Sequence, residues 1–390
     1  MPTSVVIPGF RATSLGIARC LAGSGVEILA IGHSEDPQDM PFYFSSIPKR
    51  KIMLSDNKKM FEALIDIRND FNEPPLLLLS EDRHVLEVAE NREAIDSCYR
   101  HLLSDSVLVN KLMDKRAFAK IAHDMGLKIP REISIAGIAE INNAVSEFSF
   151  PFILKPYLRH ACKINAQSEL ESYLGGFSST NWKSVIAQEY IPGDDSSIYF
   201  CFVYFNQSSE PIAWLTAQKI RQWEPLSGVT SLCRTVENSY ILEETISIFK
   251  SLGLIGFGSI EYKYHREKNA YFIMEPTVGR YNLQIALARE AGVNFPAIAV
   301  DYLTEGKKTR FFQKNNIWWI HEATDLLSIW DKRQTVRVSY LKHIIKAHTR
   351  VLFSWRDPFP FFVFFGVAFK IALQQIANWL VERWKVNCRL

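Results

Sequence analysis

The stretch Gly256–Glu275, GFGSIEYKYHREKNAYFIME, decides the reading of this chain. Two apolar-rich runs, Gly256 to Tyr264 and Ala270 to Glu275, flank the charged turn His265-Arg266-Glu267-Lys268-Asn269, which is a β-hairpin signal. Glu261 and Glu275 fall at the inward ends of the two strands, beside Ile260, Ile273 and Met274. Two like charges buried side by side are costly unless a cation joins them. A hard cation that takes oxygen ligands, such as magnesium, fits that pattern, with phosphate oxygens completing its octahedron. The plainer alternative is that each glutamate pairs with its own lysine or lies on an exposed face.

Working outward, lysines end several elements. Lys155 closes the apolar run Phe150-Pro151-Phe152-Ile153-Leu154 just before Pro156, and Lys115 follows Met113-Asp114 at a helix start. Lys219 closes another strand in Ala217-Gln218-Lys219-Ile220-Arg221. A polyphosphate needs point charges converging from separate elements, because no single side chain spans three phosphates. Each lysine alone would pass as surface solvation. The segment Gln188-Glu189-Tyr190-Ile191-Pro192-Gly193-Asp194-Asp195 runs from a strand into a turn. Edge amides and carbonyls there suit an adenine, and an acid beyond the turn suits ribose hydroxyls. Strands over Val185–Ile191, Ile198–Phe205 and Ile212–Lys219, with helices over Asp114–Leu127 and Glu243–Leu252, make this middle region an antiparallel-rich α+β domain.

The first 110 residues read differently. Val5–Ile7, an amphipathic stretch Ser14–Ala22 and Val26–Ile31 form a βαβ unit that opens a parallel sheet. A further strand is expected at Leu76–Leu79, with Ser80-Glu81-Asp82 capping a helix near Val85. Gly9 and Gly16 do not make the GxGxxG fingerprint, so a plain doubly wound α/β domain is expected rather than a dinucleotide site. The 390 residues therefore divide as 1–110, 111–305 and 306–390. Six scattered cysteines without a CxxC pair, and no basic-then-apolar leader after Met1, point to the cytoplasm. The scattered histidines read as ordinary.

Taken in order, Met113-Asp114-Lys115, Phe150–Pro156, Gln188–Asp195, Gly258-Ser259-Ile260-Glu261 and Glu275-Pro276-Thr277-Val278-Gly279-Arg280 resemble the ATP-grasp superfamily. Within it, they look like the carboxylate–amine ligases associated with bacterial surface-polysaccharide synthesis, over about residues 1–305. The resemblance implies a pre-ATP-grasp domain followed by a two-subdomain ATP-grasp fold. It implies ATP and Mg2+ as cofactors, and phosphoryl transfer to a carboxylate, giving an acyl-phosphate that an amine then attacks. Lys115 and Lys155 would hold phosphates; Gln188 and Glu189, with Tyr190 and the backbone through Ile191, would form the adenine hinge; Asp195 would hold the ribose. Lys219 or Arg221 would reach the terminal phosphate, Glu261 and Glu275 would bind magnesium, and Arg280 would steady the transferred group. Thr277 stands where the family commonly has Asn, and it still offers an oxygen for a metal. The arginine comes one residue late. The glycine-rich loop usual after Lys155 is absent, so Arg159, His160 and Lys163 would substitute by charge. A catalytically weak relative acting as a membrane-associated assembly factor is the other reading. No biotin-carrier segment supports a carboxylase, and no nucleic-acid partner is expected.

The tail is separate in character. Residues 307–390 hold 15 Lys/Arg against 5 Asp/Glu, or +10, while the whole chain carries +3, so the first 306 residues carry −7. Six of nine tryptophans (Trp318, Trp319, Trp330, Trp355, Trp379, Trp384) sit there. Asp357–Phe369 is strongly apolar, but extending it as a span would bury Lys370, at about 2.5–3.5 kcal/mol for a lysine at a helix centre. A helical, aromatic extension is expected over 306–390. It would lie on the inner membrane surface through residues 350–385, with Trp379 and Trp384 at headgroup level and Arg350, Arg356, Arg383 and Lys385 nearby, or pack on the body, or join two copies.

Overall fold

The computed structural model describes residues 2–35, 39–135, 137–155, 162–174, 185–224, 228–307, 309–330 and 340–370. Arg159, His160, Trp379, Arg383, Trp384 and Lys385, named above, fall outside those residues.

The first sheet is parallel: β1 (Ser4–Pro8), β2 (Glu27–His33), β3 (Arg50–Leu54) and β4 (Leu76–Leu77) lie in the order β3-β2-β1-β4. Its interior strand β1 is a continuous apolar run, as a sheet covered on both faces requires. The strand expected over four residues at Leu76 is only two long. The expected cap is also not formed: the helix Asp82–Glu90 starts after Glu81 with no side-chain cap, because the Ser80 hydroxyl is taken by Ser14 (2.7 Å) and the Pro8 carbonyl (2.9 Å).

A second, four-stranded antiparallel sheet holds β5 (Glu132–Ile135), β6 (Phe152–Lys155), β7 (Cys162–Ile164) and β8 (Val185–Glu189), in the order β5-β8-β6-β7. The third sheet has seven strands: β9 (Ile198–Phe205), β10 (Pro211–Trp223), β11 (Val229–Thr235), β12 (Gly256–His265), β13 (Ala270–Val278), β14 (Trp318–Ile320) and β15 (Thr349–Arg350). Their order is β13-β12-β9-β10-β11-β14-β15. The β12–β13 hairpin turns through Asn269 at φ 45°, a left-handed conformation that Asn tolerates better than most residues. Behind the sheet, Asn238 caps the helix Ser239–Ser251, its Oδ1 accepting from the Ile241 amide at 3.2 Å. That helix buries Ile241, Thr245, Ile248 and Phe249, one helical face. Gly258 allows the close approach: a Cβ there would sit 2.5 Å from Leu254 Cδ2 and 2.8 Å from Phe249 Cε2.

One apolar core joins the parallel sheet to the front of the seven-stranded sheet, with Val5, Ile7 and Leu15 packed in one cluster with Phe200, Phe202, Phe257, Phe295 and Trp319. Residues after 306 complete this body. β14 pairs with β11, and β15 with β14. Arg19 donates to the Val351 carbonyl (2.6 Å), the Leu352 carbonyl (2.9 Å) and Asp357 (3.1 Å). Glu322 accepts from the amides of Val351, Leu352 and Phe353 at 3.1, 3.1 and 2.7 Å. Residues 359–370 are helical; Phe361, Phe364 and Phe365 pack on the core, while Phe359, Phe362 and Phe369 are exposed. No helix among the described residues is long and apolar enough to cross a membrane.

Candidate active site

Glu261 and Glu275 are directly opposite each other on β12 and β13, with a register shift immediately after Glu261. The shift leaves Met274 as the extra residue, so Tyr262 and Ile273 turn into the rear core while both carboxylates face the front. Neither is deeply buried, contrary to expectation: the Glu261 side chain is 34% exposed and Glu275 is exposed. Two strands away, Lys219 of β10 is buried and extends across β9 to place Nζ 2.8 Å from Glu261 Oε2. Thr277 sits two positions beyond Glu275, opposite Ser259, and therefore shares the carboxylates' face.

Facing this hairpin is the rim of the four-stranded sheet. Lys115, Lys155, Glu132, Gln188 and Glu275 line a cleft floored by Leu112, Phe118, Ile129 and Met274. Lys115 is positioned as the first residue of the helix Lys115–Asp124, which Asp114 caps by accepting from the Ala117 amide at 2.7 Å. Lys155 is lowered from the ordinary lysine range, first by burial and then by the Lys115 charge; Glu132, Glu275 and Glu261 oppose the shift. An ammonium held out of water beside a second cation is primed for an added anion. Gln188 is buried and donates to Glu132 Oε1 at 2.5 Å.

The segment after β8 connects the two sheets. Glu189 turns its carboxylate outward to Arg131 Nε (3.3 Å) and Lys268 (3.6 Å). Burial raises its pKa, but the Arg131 amide and guanidinium, with Lys268, bring it below the usual carboxylate value. Only its backbone is left for a hinge. The Tyr190 ring is flanked by Lys163 at 4.1 Å and Lys263 at 5.1 Å, and Ile191 is buried against Ala270 and Phe272. The Asp195 carboxylate faces inward, accepting from the Gln222 amide (3.1 Å) and side chain (3.0 Å), so any ribose would share it with β10.

Two arginines behave differently from the lysines. Arg221 does not reach the cleft. A bulge between Lys219 and Arg221 separates their directions, and the Arg221 side chain, fully buried, forks onto Asp325 with Nε at 2.9 Å and NH2 at 2.7 Å. Its assignment to the terminal phosphate is corrected by that geometry: the guanidinium is committed to the interior. Arg280 lies between the hairpin and the parallel-sheet domain, donating to Asp82 Oδ1 (2.6 Å) and Oδ2 (3.1 Å) and to Asn282 Oδ1 (3.1 Å).

Sequence reasoning missed Lys263 and Glu132. Lys263 is pushed down to about 8, chiefly by burial and also by Lys163, against Asp195, Asp194 and Glu261. Its position two residues after Glu261 was the available signal. Among the described residues no three His, Cys, Asp or Glu cluster as a metal cage. Two hard carboxylates with room for phosphate oxygens nevertheless suit magnesium, which seldom uses an all-protein cage.

Three sheets in this arrangement, with acids and lysines converging between the second and third, make the ATP-grasp fold. Solved structures share it. The biotin carboxylase domain of Hydrogenobacter thermophilus 2-oxoglutarate carboxylase, in complex with MgADP, ADP and bicarbonate, superposes with TM-score 0.61 at 12% identity, over 82% of this chain and 73% of that one. The L-amino acid ligase from Bacillus licheniformis gives TM-score 0.57 at 14% identity, over 77% and 74%. Among curated proteins, D-aspartate ligase from Enterococcus faecium (strain Aus0004) is 21% identical over 225 residues, 53% of each chain. The chain thus spans about half the length of the curated relative it matches. No protein-family model matches the sequence.

Proposed function

We propose that this chain is an ATP-dependent carboxylate–amine ligase that forms an amide through an acyl-phosphate. One observation carries the reading: Glu261 opposite Glu275, with Lys219 on Glu261 and a cleft bearing Lys115 and Lys155 in front of them. The name of D-aspartate ligase, the curated relative found by sequence, supports an amine acceptor.

In this reading the apolar floor of the cleft, Gln188 and the Glu189–Ile191 backbone hold the adenine. Asp195 reaches the ribose while keeping Gln222, and Lys115, Lys155 and Lys219 neutralise the phosphates. Glu261 and Glu275, with the Thr277 hydroxyl nearby, supply oxygen ligands for magnesium, which when bound offsets the charge on the phosphates. A carboxylate oxygen of the substrate attacks the terminal phosphorus and ADP leaves; Arg280 steadies the acyl-phosphate; the amine then attacks the acyl carbon and phosphate leaves. The protein contributes position and electrostatics rather than a nucleophile of its own.

We further place the reaction in the cytoplasm at the inner membrane surface. The supports are the exposed Phe359, Phe362, Phe369 and Trp355 beside Arg356 and Lys370. A role in surface-polysaccharide modification rests on the motif resemblance alone. The test is an ADP-release screen over paired carboxylates and amines with magnesium, using hydroxylamine as a trap. The reading predicts carboxylate-dependent ADP release and hydroxamate formation; ADP release that ignores every carboxylate contradicts it.

A further inference from the structure

Two lysines from opposite walls of the cleft meet at the hinge with no anion between them. Lys263 lies on β12 two residues after Glu261, in regular register with β9, and so shares the front face of that carboxylate. Lys163 lies on β7 opposite Ile153 of β6, two residues before Lys155, and so shares the cleft face of the four-stranded sheet. Both heads come to rest at the Tyr190 ring, Lys163 Nζ 4.1 Å and Lys263 Nζ 5.1 Å from its centre. Neither ammonium makes an ion pair or hydrogen bond among the described residues.

Lys263 is unpaired although acids surround it. It feels the charges of Asp195, Asp194 and Glu261. Each of these is already bonded elsewhere. Asp195 accepts from the Gln222 amide (3.1 Å) and side chain (3.0 Å), Asp194 from the Ser196 amide (3.0 Å) and hydroxyl (2.6 Å), and Glu261 from Lys219 (2.8 Å). The cross-strand neighbours of Lys263, Ile198 and Phe272, are buried and apolar, which fixes where its stem leaves the sheet. Its head therefore stands between the acid suited to a ribose and the acid suited to the metal. A nucleotide running from one to the other passes its first phosphate through that point.

We propose that Lys163 and Lys263 leave the Tyr190 ring when nucleotide enters and close on its α-phosphate from the two walls of the cleft. The proposal deepens the reading above and rests on its placement of adenine at the Glu189–Ile191 backbone and ribose at Asp195. Lys115, Lys155 and Lys219 are left for the outer phosphates. A charge-assisted bond to phosphate holds an ammonium more firmly than a ring face does, and an anion set between two like charges relieves their repulsion. The sequence after Lys155 has no glycine-rich loop. Two ammoniums then supply the hold that loop amides would otherwise give.

The experiment is calorimetric titration of the full chain in EDTA with adenosine and with AMP, which differ only in the α-phosphate. The expected result is that AMP binds about tenfold or more tightly than adenosine. Lys263→Met, and separately Lys163→Met, should each weaken AMP about tenfold while adenosine changes less than about twofold; Lys263→Arg should keep most of the gain. Lysines that only packed on the hinge ring would, when replaced, weaken both ligands alike. That outcome would overturn the proposal, as would a gain that survives either substitution. So would AMP binding no tighter than adenosine, or no binding of either, by a chain that binds MgADP; the ligase reading would then still stand. A lysine-dependent gain in a chain whose ADP release ignores every carboxylate would keep the clamp and remove the ligase reading.

Discussion

Lys219 and Arg221 stand two residues apart on one strand, and the two ends of the seven-stranded sheet treat them in opposite ways. Toward β12 and β13, Lys219 meets a carboxylate that is one-third exposed and opposite a second acid. Toward β11 and β14, Arg221 meets Asp325, both fully buried, with Ser231 adding a hydrogen bond to Asp325 at 3.0 Å. Glu322 and the Arg19–Asp357 pair extend that second region, each saturated by backbone or side-chain partners. Bonding saturation, not residue type, separates the two ends. An ion cluster with open coordination can accept a ligand, whereas a saturated one holds elements together.

The comparison breaks most visibly by mutation at the open end. Glu275→Gln should lower ADP release by on the order of 10²–10³-fold, while the midpoint of urea unfolding moves little because Glu275 is exposed. At the saturated end the pattern inverts. Arg221→Met leaves Asp325 buried without its guanidinium, and should cost about 3–5 kcal/mol in denaturant unfolding. The folded fraction should still bind MgATP with near wild-type affinity. Equal stability loss from Glu275→Gln and Arg221→Met would erase the distinction.

A smaller effect comes from pH. Lys263 is held near 8 in the folded chain against an ordinary 10.5, so the unfolded chain binds more protons between those values. Stability contributed by this group therefore rises with pH across that window. Polyphosphate binding favours the charged lysine, so MgATP should take up protons near pH 8–9, as Lys155, also lowered, would reinforce. Calorimetry in two buffers of different ionisation enthalpy measures this. Lys263→Met should reduce the uptake; heats that do not depend on buffer would contradict the placement of these lysines.

Much of this was legible in the sequence. The βαβ opening, the Glu261/Glu275 hairpin and the strand-ending Lys155 follow from periodicity and turn chemistry, because neighbouring residues fix them. What escaped depends on distant partners. Nothing local distinguishes Arg221 from Lys219, since Asp325 lies more than a hundred residues on and a bulge intervenes. Ser80 reads as a cap but is drawn away by Ser14, 66 positions earlier. Trp318–Ile320 reads as part of an aromatic tail, yet its strand pairing is set by β11. His84 reads as ordinary, and only the packing over Gly9 reveals its missing partners.

The most direct measurement is ATP affinity with and without magnesium, in the wild-type chain and in the Glu261→Gln, Glu275→Gln double variant. If the hairpin carboxylates and the facing lysines hold MgATP, magnesium should tighten wild-type binding by about tenfold or more, and that gain should vanish in the double variant. Equal ATP affinity in magnesium and in EDTA, or a magnesium gain that survives loss of both carboxylates, would contradict the account.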